Sequence, residues 1–116
     1  MGGTMGSIRL YSGDDGHSHI EEIDPPSDPV WNQLQNAKGI IFRASPPGYF
    51  SDWHVAPRRQ YIITLSGEAE IGLADGTVHR LGPGDANLAE DLTGHGHTTR
   101  VVGDVPRVTA IIHLDD

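Results

Sequence analysis

The chain contains no cysteine in its 116 residues, so neither a disulfide framework nor a thiolate metal site can hold it together. Any metal would have to sit on histidine, carboxylate or amide oxygen. Long apolar runs are also missing. Nothing approaches the ~18 residues that a membrane-spanning helix needs, and no basic stretch followed by an apolar one opens the chain. A soluble, cytoplasmic protein without a membrane partner is expected. Basic residues are scarce, eight against sixteen acids, for a net charge of −8. With no basic stripe to offset it, that charge repels a phosphate backbone and argues against a nucleic-acid partner. The length allows one domain of modest core.

Glycine and proline, by contrast, are abundant at 15 and 8 residues. They leave few positions for long helices and point to a turn-rich, all-β architecture. Acidity is uneven, with six acids and one base in residues 1–30. The opening MGGTMGS is small and polar and is set aside from fold reasoning. Residues 1–37 read as an acidic arm that wraps the barrel or pairs at its edge. It holds one short strand between Ser7 and Ser12 and a short helical turn over Val30 to Asn36, where Asp28 offers a cap and Pro29 sits in the first turn. Residues 38–116 form the main domain. Eight short β-rich runs follow one another there, from GIIFRA through QYIITL and ANLA to RVTAIIHL. Ser66-Gly67, Asp75-Gly76, Gly82-Pro83-Gly84 and Gly103-Asp104 mark tight turns between them. Short strands without intervening helices predict a closed antiparallel barrel or a double-sheet jelly roll.

Seven histidines carry the candidate chemistry. His17 and His19 form a His-x-His pair in a Gly- and Ser-flanked loop, while His79 and His113 sit singly in strand-like runs and read as packing or surface groups. That leaves His54, His95 and His97. Gly48, His54, Gln60 and Gly67 fall in register with the first motif of the cupin family, which the segment resembles: Gly, five residues, His-x-His, three residues, Glu, six residues, Gly. The second cupin motif resembles the run from Gly82-Pro-Gly84-Asp85 to His95 and His97. Strict counting places His95 at the motif histidine, and a turn two residues longer, built from EDLTGHG, places His97 there. His97 is preferred because it leads straight into a strand, the rigid element a ligand needs.

The resemblance implies a cupin-type barrel, a double-stranded β-helix or jelly roll, and a divalent metal inside it. It also shows two departures, since Ala56 stands for the second histidine and Gln60 for the glutamate. Alternation puts residues 54 and 56 on one side, so Ala56 should leave space in the pocket. The resemblance then implies a thin ligand set of His54, Gln60 and His97 for Zn, Ni, Fe or Mn, with no organic cofactor. Without metal, the same histidines can move protons to and from a small molecule. Glu90 is the expected proton carrier beside them, its pKa raised by burial, while Asp91 binds substrate or merely caps a turn. Arg58 and Arg59 form either a solvated hairpin tip or a clamp for an anionic oxygen. Tyr49, Phe50, Trp53 and Tyr61 supply aromatic surface; Tyr61 is expected at the substrate, and Trp53, on the face opposite His54, in the core or a dimer interface. The leading function is an enzyme of the lyase or isomerase type, acting on a compact organic molecule by proton transfer or metal-assisted isomerisation, dehydration or elimination. The alternatives are a metal-dependent dioxygenase, a non-catalytic binding module, and a structural subunit. Pairing of β edges into a homodimer is expected.

Overall fold

A computed structural model describes residues 4–114, and all regular structure in them is strand. The eleven strands are β1 (Thr4–Met5), β2 (Ile8–Ser12), β3 (Ser18–Glu22), β4 (Ala37–Ser45), β5 (Phe50–His54), β6 (Gln60–Ser66), β7 (Glu68–Gly72), β8 (Val78–Leu81), β9 (Ala86–Glu90), β10 (His97–Val102) and β11 (Arg107–Leu114). Each of the eight expected runs from residue 38 onward becomes one of β4 to β11. Among the described residues no helix is long and apolar enough to cross a membrane.

Two sheets face each other. One has the order β1-β8-β7-β10-β5 and the other β3-β2-β9-β6-β11-β4. Pairing is antiparallel except for β1 with β8 and β2 with β9. Corners follow the glycine and proline signals. At the β6–β7 corner Gly67 has φ +75°, and a Cβ there would meet the Pro106 carbonyl oxygen at 2.5 Å, so only glycine fits. At the corner before β9, Gly82 N–H donates to Asp85 Oδ2 at 2.8 Å and Asp85 N–H to the Gly82 carbonyl at 3.0 Å.

Apolar packing has two parts. Between the sheets Ile8, Leu10, Ile71, Leu73 and Leu81 form one cluster, with Ile20 against it. On the outer face of the larger sheet Tyr61, Ala86, Leu88 and Leu114 form a second, covered by Trp31. The N-terminal segment therefore supplies strands to both sheets, apolar side chains to the inner cluster and a cover for the outer one.

Of the expected helical turn at Val30–Asn36 only one hydrogen-bonded turn forms, with Gln33 N–H donating to the Val30 carbonyl at 3.2 Å, and no helix follows. Asp28 Oδ1 does accept the backbone N–H groups of Val30 and Trp31, both at 2.9 Å, as a cap would. The turn stops because the Asn32 side chain, not its backbone N–H, takes the Asp28 carbonyl at 2.9 Å, the acceptor that a continuing helix needs. At the opposite edge of the larger sheet β4 pairs only with β11, and Ile40, Ile41 and Phe42 are exposed along it.

Candidate functional site

A cavity of about 260 Å³ lies between the sheets, and His54 and His97 line it. They face each other across the β5–β10 pairing, where His97 is the register partner of His54, and their ring centroids are 4.4 Å apart. Gly96 makes this approach possible. Its φ is +82°, and a Cβ there would run into the His54 carbonyl. The Gly-x-Gly spacing before His97 is thus the local reason the two imidazoles meet.

Each ring is held by Nδ1. His54 Nδ1 donates to the Asp52 carbonyl at 2.7 Å, with Ser51 Oγ at 3.2 Å. His97 Nδ1 donates to Asp91 Oδ2 at 2.5 Å. Both arrangements leave Nε2 as the ring nitrogen available for chemistry. Asp91 is fully buried, at 0% exposure, and the same Oδ2 accepts Ser18 Oγ–H at 2.6 Å. Its Oδ1 is buried without a partner, as are Gln60 Oε1 and Asn87 Oδ1. Buried acceptors left this way are uncommon and point to a function or a bound group.

The candidate residues fall into two groups. His54 and His97 share the cavity, and Asp91 lies directly behind His97, outside the cavity lining. Glu90, Arg59 and Tyr61 lie on the opposite face of the larger sheet, around an outer hollow of about 240 Å³ under Trp31. Strand alternation is the cause: Asn87 lines the barrel cavity, so Leu88 and Glu90 point away from it. Glu90 also departs from the expected raised pKa. Burial pushes its carboxyl up, but hydrogen bonds from Arg59 and Arg9 outweigh that and hold it below the ordinary carboxylate value. Arg9 Nε donates to Oε1 at 2.6 Å and Arg59 Nε to Oε2 at 2.5 Å, so Glu90 ties β2 to the start of β6. A proton carrier beside the histidines it is not.

This has a pH consequence. A carboxyl whose folded pKa lies below its unfolded value, near 4.5, stabilises the fold above that pH and loses the contribution as pH falls through the folded value. Glu90→Gln removes the term. Thermal melts of the variant are expected to depend less on pH than those of the parent between about pH 5 and pH 3; parallel curves would contradict the assignment.

Other histidines have quieter places. His79 is buried, with Nε2 2.8 Å from the Gly6 carbonyl, and His113 Nε2 accepts from Arg58 Nη1 at 3.2 Å. His95 is exposed and sits on Trp53, centroids 4.3 Å apart, with His17 at 5.9 Å. Trp53 accordingly belongs to a surface cluster and not to the core.

No family model and no curated protein matches the chain. Among solved structures it is similar to a Klebsiella pneumoniae protein with a double-stranded β-helix domain, at 27% identity and a TM-score of 0.52, over 68% of this chain and 69% of that one. By fold the chain is a double-stranded β-helix, the fold of the cupins. A sugar phosphate isomerase of the cupin superfamily from Silicibacter pomeroyi aligns over 96% of this chain and 70% of that one at 19% identity and TM-score 0.49. A Neisseria meningitidis protein does so over 82% and 100% at 16% identity and TM-score 0.47.

In this chain the position that resembles the second motif-1 histidine does not open a space. Ala56 is buried in the barrel wall, its N–H donating to the Asp91 carbonyl at 3.0 Å. Gln60 is buried nearby in register with Ala89, but it does not line the cavity. Among the described residues no group of three or more His, Asp or Glu side chains is arranged to hold a metal.

Six residues in or behind the cavity have places that the sequence reading did not assign. Ser18 completes the Asp91 contact, Asn87 lines the wall, and Arg43 and Arg107 line the cavity with Ser45 and Thr109. Alternation in β11, where 107, 109 and 111 share a face, is the one sequence signal that placed Arg107 inward.

Proposed function

We propose that this cupin is a small enzyme that moves a proton on a compact organic molecule held between the sheets, in an isomerisation, dehydration or elimination. The observation that carries the reading is the buried contact of His97 Nδ1 with Asp91 Oδ2. A carboxylate there holds the imidazole in one tautomer and supports the imidazolium that forms when Nε2 takes a proton from substrate. His54, opposite, is the second acid–base group. In its imidazolium form it donates from Nε2, so one ring removes a proton and the other returns one. Asp91 is a positioning residue and His97 and His54 the catalytic residues.

A second reading rests on the orphaned Gln60 Oε1. Two imidazoles oriented through Nδ1, plus a buried amide oxygen lacking a donor, fit the donor chemistry of a divalent Zn, Ni, Fe or Mn ion. His54 and His97 would hold it from the cavity, and the Gln60 amide, buried beside the cavity without lining it, would have to turn toward them to join, with Asp91 behind His97 the nearest formal negative charge in the contacts described. Such an ion supplies Lewis-acid polarisation of a substrate oxygen or a site for dioxygen.

Both readings are tested on tag-free protein. Incubation in deuterium oxide with a panel of small carbonyl and hydroxyl compounds, neutral and anionic, followed by NMR, is expected to show deuterium entering one of them. His97→Asn should abolish the exchange and Glu90→Gln should retain it. Ligands that bind but neither exchange nor turn over would make the cupin a binding module. Stoichiometric transition metal that disappears in His54→Ala and His97→Ala supports the metal reading, and background metal in the unmodified protein removes it.

A further inference from the structure

We propose that Arg107 is an anchor for an anionic group, a carboxylate or phosphate ester, so that the substrate of the His54–His97 site is an organic anion. This rests on the cavity being the substrate site and adds the substrate's chemical class.

The geometry begins with burial. Arg107 is 8% exposed and lines the cavity. Its Nε and Nη2 both donate to one acceptor, Thr64 Oγ1, at 3.3 and 3.0 Å. No carboxylate among the described residues pairs with it. A guanidinium has five N–H donors in a planar fork, and one neutral hydroxyl oxygen leaves most of them unused. Burying such a charge is costly unless it is paired. Holding Thr64 in place needs no charge, so that contact alone does not account for an arginine here. Burial pushes the guanidinium down to about 10, which still leaves it charged at neutral pH.

The surroundings agree. Arg43 lines the same cavity, and among the described residues no Asp or Glu does. Ser45, Tyr49 and Thr109 add hydroxyls. A chain of net charge −8 therefore holds a cavity whose lining, among the described residues, carries two guanidiniums and no carboxylate. Position matters as well. His97 opens β10, and Arg107 opens β11 after the chain has turned at the far end of the barrel. At ~3.3 Å per residue β10 carries the chain roughly 16 Å along the barrel from His97 before it crosses to β11 in the other sheet, an offset that the long arginine side chain can shorten. Ile62, Ile71 and Ile111 line the stretch between. The fitting molecule has an anionic head at Arg107, an apolar middle and its reacting carbon near Nε2 of His97.

The test uses the whole chain and three probes, inorganic phosphate, acetate and the neutral control glycerol. Titration is followed by calorimetry and by the Nε–H resonance of Arg107 in 15N-labelled protein, which needs no mutant. Saturable binding of phosphate or acetate that shifts this resonance is expected, and glycerol should do neither. Whichever anion binds more tightly names the head group. Arg107→Met should weaken binding at least tenfold while keeping the melting temperature equal or higher, and Arg107→Lys should keep part of the affinity. An Arg107 resonance unmoved by both anions overturns the proposal. His97→Asn separates the two readings, because it should retain anion binding while losing deuterium exchange. Exchange confined to neutral compounds would sink the anion anchor and leave the proton-transfer reading standing. Anion binding at Arg107 without exchange on any compound would do the reverse.

Discussion

Asp91→Asn is expected to slow proton transfer by about 10²- to 10⁴-fold without unfolding the protein. The reason lies in one oxygen. His97 Nδ1–H and Ser18 Oγ–H both donate to Asp91 Oδ2, and an asparagine can present either its oxygen or its NH2 there. With the NH2 in place, His97 is forced into the other tautomer and its reactive nitrogen becomes a donor. With the oxygen in place, the NH2 is buried where Oδ1 now lacks any partner. In both cases the charge that supports the imidazolium is gone. The strongly downfield Nδ1 proton expected for so short a contact should vanish from the NMR spectrum of the variant, a readout that a merely structural role would not move. The pH–rate profile should change with it. Asp91→Ala goes further, leaving two buried donors unpaired at a cost of about 3–5 kcal/mol. An Asp91→Asn exchange rate within threefold of the parent would refute the positioning role.

Leu10→Ala is expected to destabilise the fold by about 2–5 kcal/mol in urea denaturation. Leu10 is fully buried, packed with Ile8, Ile71, Leu73 and Leu81 between the sheets. Its backbone is the partner of Ile20 on β3 and of Ala89 on β9. A cavity at this point loosens β2, and β2 is what brings Ser18, through β3, onto Asp91. A loss below 1 kcal/mol would show that the N-terminal strands are appended to the barrel rather than part of its core.

The same residues explain what was legible in the sequence. From residue 38 onward the strands were readable because alternation and Gly or Pro punctuation are local signals. His54 was legible from its spacing to Gly48 and Gly67, and His97 from its place at the head of a strand. The N-terminal contribution was harder. Ile8, Leu10 and Ile20 are three apolar residues among Gly, Ser and acids, and the pairing that buries them reaches some eighty residues away, from Tyr11 to Glu90. Glu90 and Asp91 differ by one position at a strand end, where the face each takes depends on knowing that Asn87 points inward. Arg107 follows a proline and opens a strand, a place where a charged residue reads as loop.

With an anion held at Arg107 as proposed, the distribution of charge in this chain would make ionic strength act in opposite directions on arrival and on retention. A small anion approaching a surface of net charge −8 is repelled at low salt, and that repulsion is screened over a Debye length of about 8 Å at physiological salt. The guanidinium that receives it is buried and screened much less. Added salt should therefore quicken entry while leaving the held complex largely intact, the reverse of an enzyme that steers its substrate in. Under that proposal, repulsion by the acidic exterior would rise with the charge of the incoming molecule and weigh most on polyanions.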